Sequence, residues 1–142
     1  MRELSTYEEA LPIALLRARE ATLSRFRAHV KDKGLTLEQW RVLRALAEHQ
    51  ALEPAALCDL CVLLPPSLSR INRTLEEMGL VEIVVGQDRR KRTIQISAKG
   101  RDKFQEMEQQ SAAIYQDIRD AYGTEKLQQL TKLLRELQDA LT

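Results

Sequence analysis

A chain of 142 residues has the size of one domain, or of one small domain carrying helical extensions. With 30% charged and 44% hydrophobic residues, its composition excludes both a disordered polymer and a membrane-embedded bundle. The formal net charge of +1 excludes a globally basic nucleic-acid binder, so any such role has to rest on a local patch.

No apolar run approaches the ~20 residues that cross a bilayer. The opening stretch MRELSTYEEALPIALL sets acidic residues ahead of its apolar run, unlike a signal peptide. A cytoplasmic protein with no membrane partner is therefore expected. The two cysteines, Cys58 and Cys61, are too few for a disulfide framework and suit a reducing compartment.

In chain order, Leu16, Arg19, Leu23, Phe26 and Val30 recur at spacings of 3, 4, 3 and 4, which predicts a helix from Pro12 to Lys33 whose seam has one charged member. Pro12 suits its first turn and Gly34 the position past its end. Thr36 followed by Gln39 is a capping-box pattern opening a second helix, with Leu37, Trp40, Leu43 and Ala47 on one face. A short third helix runs from Pro54 to about Cys61. The fourth begins near Pro65, Pro66 and Ser67, buries Leu68, Ile71, Leu75 and Met78, and ends at Gly79. VEIVV and RTIQI then read as two strands around the polar turn Gly86 to Lys91. Ser97 caps a long fifth helix with Phe104, Met107, Ile114, Ile118 and Ala121 on a seam. After Gly123, Thr124 caps a sixth with Leu127, Leu130, Leu134, Leu137 and Leu141 on one side.

This order describes a mainly α chain with a small β-hairpin wing: a winged helix-turn-helix over residues 36–97, inside a single domain of residues 1–142. The flanking helices, residues 12–33 and 98–142, carry apolar seams that so small a winged helix cannot cover. A second copy of the chain is the economical cover, and a symmetric homodimer the expected assembly.

With the inward stripe of the fourth helix buried, Pro66, Ser67, Ser69, Arg70, Arg73 and Thr74 fall at its start or on its outer face. Arginine bonds guanine in bidentate fashion or phosphate by charge, and serine reaches either. The helix N-terminus also offers amides to phosphate oxygens. Any amphipathic helix has a polar face, so the hairpin decides the matter. Arg89, Arg90, Lys91 and Arg92 are consecutive cations in the turn directly after the helix, where a wing meets the groove beside the recognition helix. Asp88, two residues before Arg90, is placed to hold that guanidinium across the turn. Double-stranded DNA, as a pseudo-palindromic operator, is the expected partner.

Asp88-Arg89-Arg90, then Ile96-Ser97 and Gly100, resembles the wing motif of the MarR family of winged-helix transcriptional regulators, and the likeness extends over the helix order and the closing leucine-rich helix. IALLRAREATLSRFR, LTLEQWRVLRALAE and the Cys61 to Leu68 stretch CVLLPPSL are similar to repressors of homoprotocatechuate (hydroxyphenylacetate) degradation within that family. The resemblance implies a dimeric sequence-specific repressor released by a small aromatic carboxylate. The residue able to pair with such a carboxylate is Arg19, standing where the seam expects a leucine. A buried arginine needs an anionic partner, which is either the effector or a glutamate of the chain, Glu108 or Glu20. Trp40 offers an aromatic wall or is simply core; Arg44, a turn further on, is a second cation or the partner of Glu48.

Two other functions compete. Cys58 and Cys61 form a C-x-x-C that a redox-responsive regulator would use, although small apolar residues at such positions commonly pack in a core. A winged helix can also serve protein contacts without touching DNA, against which the Arg89 to Arg92 run argues. There is no Gly-rich phosphate loop and no H-E-x-x-H, and His29 and His49 lie in helix patterns without an obvious acidic or nucleophilic partner. Neither catalysis, nor a cofactor, nor a metal site is expected.

Overall fold

The computed structural model describes residues 6–142. A 3-10 turn at Tyr7–Glu9 precedes α1 (Leu11–Asp32) and α2 (Leu37–His49). Then follow β1 (Ala51–Leu52), α3 (Pro54–Cys61), α4 (Pro65–Glu77), β2 (Val81–Val85), β3 (Arg92–Ile96), α5 (Ala98–Tyr122) and α6 (Thr124–Leu141). This is the mainly helical winged architecture read from the pattern. Among the described residues no single helix is long and apolar enough to cross a membrane.

Local chemistry sets the boundaries. The Thr36 hydroxyl accepts from the Gln39 amide at 3.1 Å, and the Gln39 side chain accepts from the Thr36 amide at 3.0 Å, so the capping box is complete. α1 ends with the Gly34 amide bonded to the Lys31 carbonyl and the Leu35 amide to the Val30 carbonyl, both at 2.9 Å. α4 ends the same way, Gly79 to Glu76 and Leu80 to Leu75, again both at 2.9 Å. In these Schellman closures the glycine takes a left-handed conformation, φ 78° at Gly34 and 77° at Gly79, and the next leucine turns into the core. Thr124, expected as a cap, is instead the first residue of α6; Gly123 precedes it and no side chain caps that helix.

Phe26–Gln109 form one compact unit. Its core gathers Val30, Trp40, Leu43, Leu46, Leu57, Leu68, Leu75, Leu80, Ile94, Ile96 and Met107, all buried. Each such leucine or isoleucine contributes roughly 1.5–3 kcal/mol by leaving water. The sheet is antiparallel with order β1-β3-β2, so β3 is central. Val81 opposes Ile96 and Ile83 opposes Ile94, which sends one face of the hairpin into the core. On its other face Gln95 Nε2 donates to Glu82 Oε2 at 3.3 Å. β1 has two residues and therefore no readable period. It is held by pairing with β3 and by Gln50, whose carbonyl accepts from the Ile96 amide at 3.1 Å.

The second unit consists of the described residues up to Arg25 together with Gln110–Thr142. Leu11, Leu15 and Leu16 of α1 and Leu130, Leu133, Leu134 and Leu141 of α6 are exposed in the single chain. Of the seams expected on these helices, Leu16, Leu130, Leu134 and Leu141 are exposed, whereas Phe26 and Val30 at the end of the α1 seam are buried.

One close approach ties the C-terminal end of α4 to α5. A Cβ at Gly100 would collide with the Leu80 carbonyl oxygen and press on Ile96 Cγ1 at 2.9 Å. Alanine is ordinarily the better helix residue by ~1 kcal/mol, but here Gly100→Ala should destabilise the fold by about 2–3 kcal/mol, as overpacking against backbone does. Urea unfolding measures this, and unchanged or raised stability would show that the approach is not tight.

Candidate nucleic-acid interface

α4 places its side chains as the pattern requires. Leu68 and Leu75 are buried, Ile71 and Met78 half-buried, and Asn72, unremarked in the sequence, is buried among them. Pro66, Ser69, Arg70 and Arg73 are exposed, with Ser67 and Thr74 at the margin. Arg70 Nη2 reaches the Ser67 hydroxyl at 3.4 Å, and the Thr74 hydroxyl donates to the Arg70 carbonyl at 3.2 Å. The guanidinium of Arg70 is therefore loosely held along the helix, while Arg73 stands on the exposed face beside it.

The start of α4 differs from the expectation that its amides greet phosphate. Pro65 and Pro66 occupy its first positions, and the preceding Leu64 makes no side-chain cap. Two of the amides that a helix N-terminus normally leaves free are thereby absent. Leu64, Pro65 and Pro66 make this end apolar and poor in donors.

In the wing, β2 and β3 converge on the pair Val85–Arg92. The turn is closed by the Gly86 amide on the Lys91 carbonyl at 2.9 Å and the Lys91 amide on the Asp88 carbonyl at 2.8 Å. Asp88 Oδ1 accepts from the backbone amide of Arg90 at 3.1 Å. The carboxylate thus holds the backbone of the turn and leaves the Arg90 guanidinium free of it, a correction to the pairing expected from the sequence. An Asx-type bond needs only a short reach to the amide two residues on, whereas the guanidinium lies at the end of a long exposed side chain. Arg89, Arg90, Lys91 and Arg92 are all exposed. Among the described residues no ion pair engages any of them.

A compact joint holds wing and helix in register. The Ser97 hydroxyl donates to the Gly79 carbonyl at 2.6 Å and accepts from the Gly100 amide at 2.9 Å. The Ser97 amide donates to the Leu80 carbonyl at 3.0 Å. Lys99 Nζ donates to the Met78 carbonyl at 2.9 Å, a cation at the negative end of α4. The end of α4, the end of β3 and the start of α5 therefore meet within a few residues. Sequence reasoning finds Ser97 as a cap but misses Lys99, whose role depends on a fold-level contact.

The residues named for an effector differ in exposure and in local partners. Arg19 is exposed in the single chain, so the argument from a buried charge does not apply within one chain. Trp40 is buried, stacked on Phe104 with ring centroids 5.3 Å apart and met edge-on by His29 at 6.2 Å. Its ring serves the core of its own unit. Arg44 is exposed and pairs with Glu48 at 3.4 Å, one turn along α2, an interaction of small net worth at a surface.

The C-x-x-C is structural in its surroundings. Cys61 is buried and Cys58 half-buried, both as free thiols. Cys61 Sγ donates to the Arg41 carbonyl at 3.8 Å, and Arg41 Nη1 donates to the Cys61 carbonyl at 2.9 Å, joining α2 to α3. Burial pushes the Cys61 thiol above its ordinary pKa, with Arg41 opposing in part. A thiol held protonated is a poor nucleophile toward oxidants.

Comparison with known proteins agrees with this geometry. A model of the MarR family matches residues 33–91. The chain is 39% identical over 129 residues to the homoprotocatechuate degradative operon repressor of Escherichia coli, covering 90% of this chain and 87% of that protein. It is 33% identical to the HTH-type transcriptional regulator FarR of Neisseria gonorrhoeae, with 93% of each covered. The crystal structure of NadR in complex with 4-hydroxyphenylacetate superposes with a TM-score of 0.82 at 33% identity, covering 96% of this chain and 97% of that one.

The wing turn yields a discriminating test. Asp88→Ala removes the acceptor for the Arg90 amide and should cost the turn about 1 kcal/mol of order, seen as weaker binding to any duplex. Asp88→Asn keeps an acceptor at the same reach and should bind nearly as wild type in an electrophoretic titration. Equal losses in both variants would show that the charge of Asp88 matters and its turn geometry does not.

Proposed function

This chain belongs to the MarR family of transcriptional regulators, and from that premise we propose that it is a homodimeric repressor that grips a pseudo-palindromic operator and lets go when a small aromatic carboxylate binds. The observation that carries the DNA half of this reading is the joint at Ser97. It fixes the cationic wing relative to α4, so one rigid head presents a groove-reading helix and a phosphate-binding turn together. Two such heads in a symmetric dimer would enter successive major grooves about one helical turn apart. The exposed leucines of α1 and α6 supply an apolar surface of the kind that a subunit interface covers.

The effector half rests on relatives. One is named for an operon degrading homoprotocatechuate and another binds 4-hydroxyphenylacetate. Both compounds join an aromatic ring to a carboxylate. Arg19, exposed at the one charged position of the seam Leu16, Leu23, Phe26 and Val30, is the residue we assign to that carboxylate through charge-assisted hydrogen bonds. Effector binding would favour a dimer whose heads are wrongly spaced for DNA, shifting the population away from the bound form.

Separate variants test the two halves. Arg90→Ala should weaken all duplexes alike and make the slope of log K against log salt shallower by about 1, the signature of one phosphate no longer neutralised. Arg70→Ala should change which sequences are preferred, at about 1–3 kcal/mol for the base it reads. Wild-type affinity for duplex DNA in both would overturn the proposed surface. For the effector, calorimetric titration with 4-hydroxyphenylacetate should show binding that Arg19→Ala weakens at least tenfold, the equivalent of ~1.4 kcal/mol. Equal affinity in the two proteins would remove Arg19 from the site.

A further inference from the structure

Three helices end in the same backbone device, and one of them is built from an unexpected residue. At the ends of α1 and α4 the left-handed position is Gly34 and Gly79. At the end of α3 the Leu63 amide donates to the Cys58 carbonyl at 2.9 Å and the Val62 amide to the Asp59 carbonyl at 3.4 Å, the same closure. Here the left-handed residue is Val62, with φ 56° and ψ 57°. A β-branched side chain is among the worst choices for that region, because Cβ and its branches crowd the backbone. The other non-glycine residue with positive φ among the described residues, Gln50, spends its side chain on a hydrogen bond from Arg101. Val62 is 84% exposed, so its side chain gains nothing from burial within the chain.

Val62 has company. Leu63 turns inward against the core, as the closure requires, but Leu64 is 74% exposed. Pro65 and Pro66 follow, both exposed and without amide hydrogens. A strained valine and an exposed leucine therefore stand at the N-terminal end of α4, the helix that carries Arg70 and Arg73. Strain and exposure together point to something outside the chain that uses these side chains. Phosphate is a poor candidate, since neither side chain can donate and the prolines have removed amides that could. The apolar feature a duplex displays to a helix end is the thymine C5-methyl group in the major groove.

We propose that Val62 and Leu64 form an apolar reading edge that packs on thymine methyl groups flanking the bases contacted by α4. The proposal rests on α4 being the major-groove helix. It assigns sequence discrimination to the turn before that helix as well as to its outer face. A thymine at the edge would be favoured through burial of its methyl group, without a hydrogen bond.

The test begins with full-length protein and a randomised duplex library. Retained sequences are resynthesised with each thymine replaced in turn by deoxyuridine, which removes the methyl and keeps the base pair. Wild type should lose about fourfold in affinity for each buried methyl at one or two positions per half-site. In Val62→Gly and Leu64→Ala the ratio between thymine and uracil duplexes at those positions should fall toward one. Val62→Gly places a glycine where the backbone prefers one, so its fold is secure even if Leu64→Ala proves unstable. Salt-sensitive duplex binding with no methyl dependence in wild type would overturn this proposal and leave the DNA-binding reading standing. The same ratio in the variants as in wild type would place methyl reading elsewhere and overturn it equally. Retention of no duplex at all would remove the DNA-binding reading, and this one with it.

Discussion

The close contact between α5 and the strand-to-helix corner at Gly100 governs much of this molecule. Because no Cβ intervenes, the first turn of α5 lies directly on the Leu80 carbonyl. That proximity lets one hydroxyl, Ser97, cap α5 and hold the Gly79 carbonyl at the end of α4 at the same time. Lys99 adds a charge where the α4 dipole is negative. A single crowded corner therefore orients α4, the central strand of the sheet and the first turns of the long helix. Any rearrangement at the start of α5 has to be felt at α4 through this corner, because packed contacts shift between discrete arrangements more readily than they stretch.

Charge in this chain works by placement. A net charge of +1 gives almost no long-range field, yet three exposed cations sit on a turn whose backbone is closed by its own hydrogen bonds, and a fourth, Arg92, begins the strand after it. Asp88 in that turn looks like a compensating charge in the sequence, but its carboxylate is used on the Arg90 amide. The guanidinium groups stay available, while the turn loses conformational freedom before any partner arrives. Such preorganisation lowers the ordering cost of association, which for long cationic side chains on a loop is substantial.

The helices and hairpin are legible because their signals are local and redundant: a capping box at Thr36, glycines at 34 and 79, and alternating apolar residues over 81–96. What the sequence does not show are features that depend on the fold. β1 is two residues long and exists through its pairing with β3. Trp40 occupies a face position compatible with either a ligand wall or a core, and its stacking on Phe104 is a fold-level contact that the pattern cannot show. Arg19 sits on an apolar seam, but a seam in one chain need not be buried in that chain. The prolines at 65 and 66 read in sequence as permissive for a helix start, whereas their larger effect is to delete hydrogen-bond donors.

That deletion and the left-handed Val62 belong together. A helix end that keeps its amides attracts anions from any nucleic acid, whatever the sequence, and so raises affinity without raising discrimination. Here the amides are reduced and the end of α4 is lined with aliphatic side chains, while exposed cationic charge is gathered on the separate wing. On the proposed reading, base recognition and phosphate binding are divided between two parts of one rigid head. Aliphatic contact with bases is weak per group, but it falls away when the expected methyl is absent and gains nothing from backbone phosphate. A nearly neutral protein that must find few sites among many benefits from such a division, since specificity is a ratio and generic attraction enlarges both of its sides.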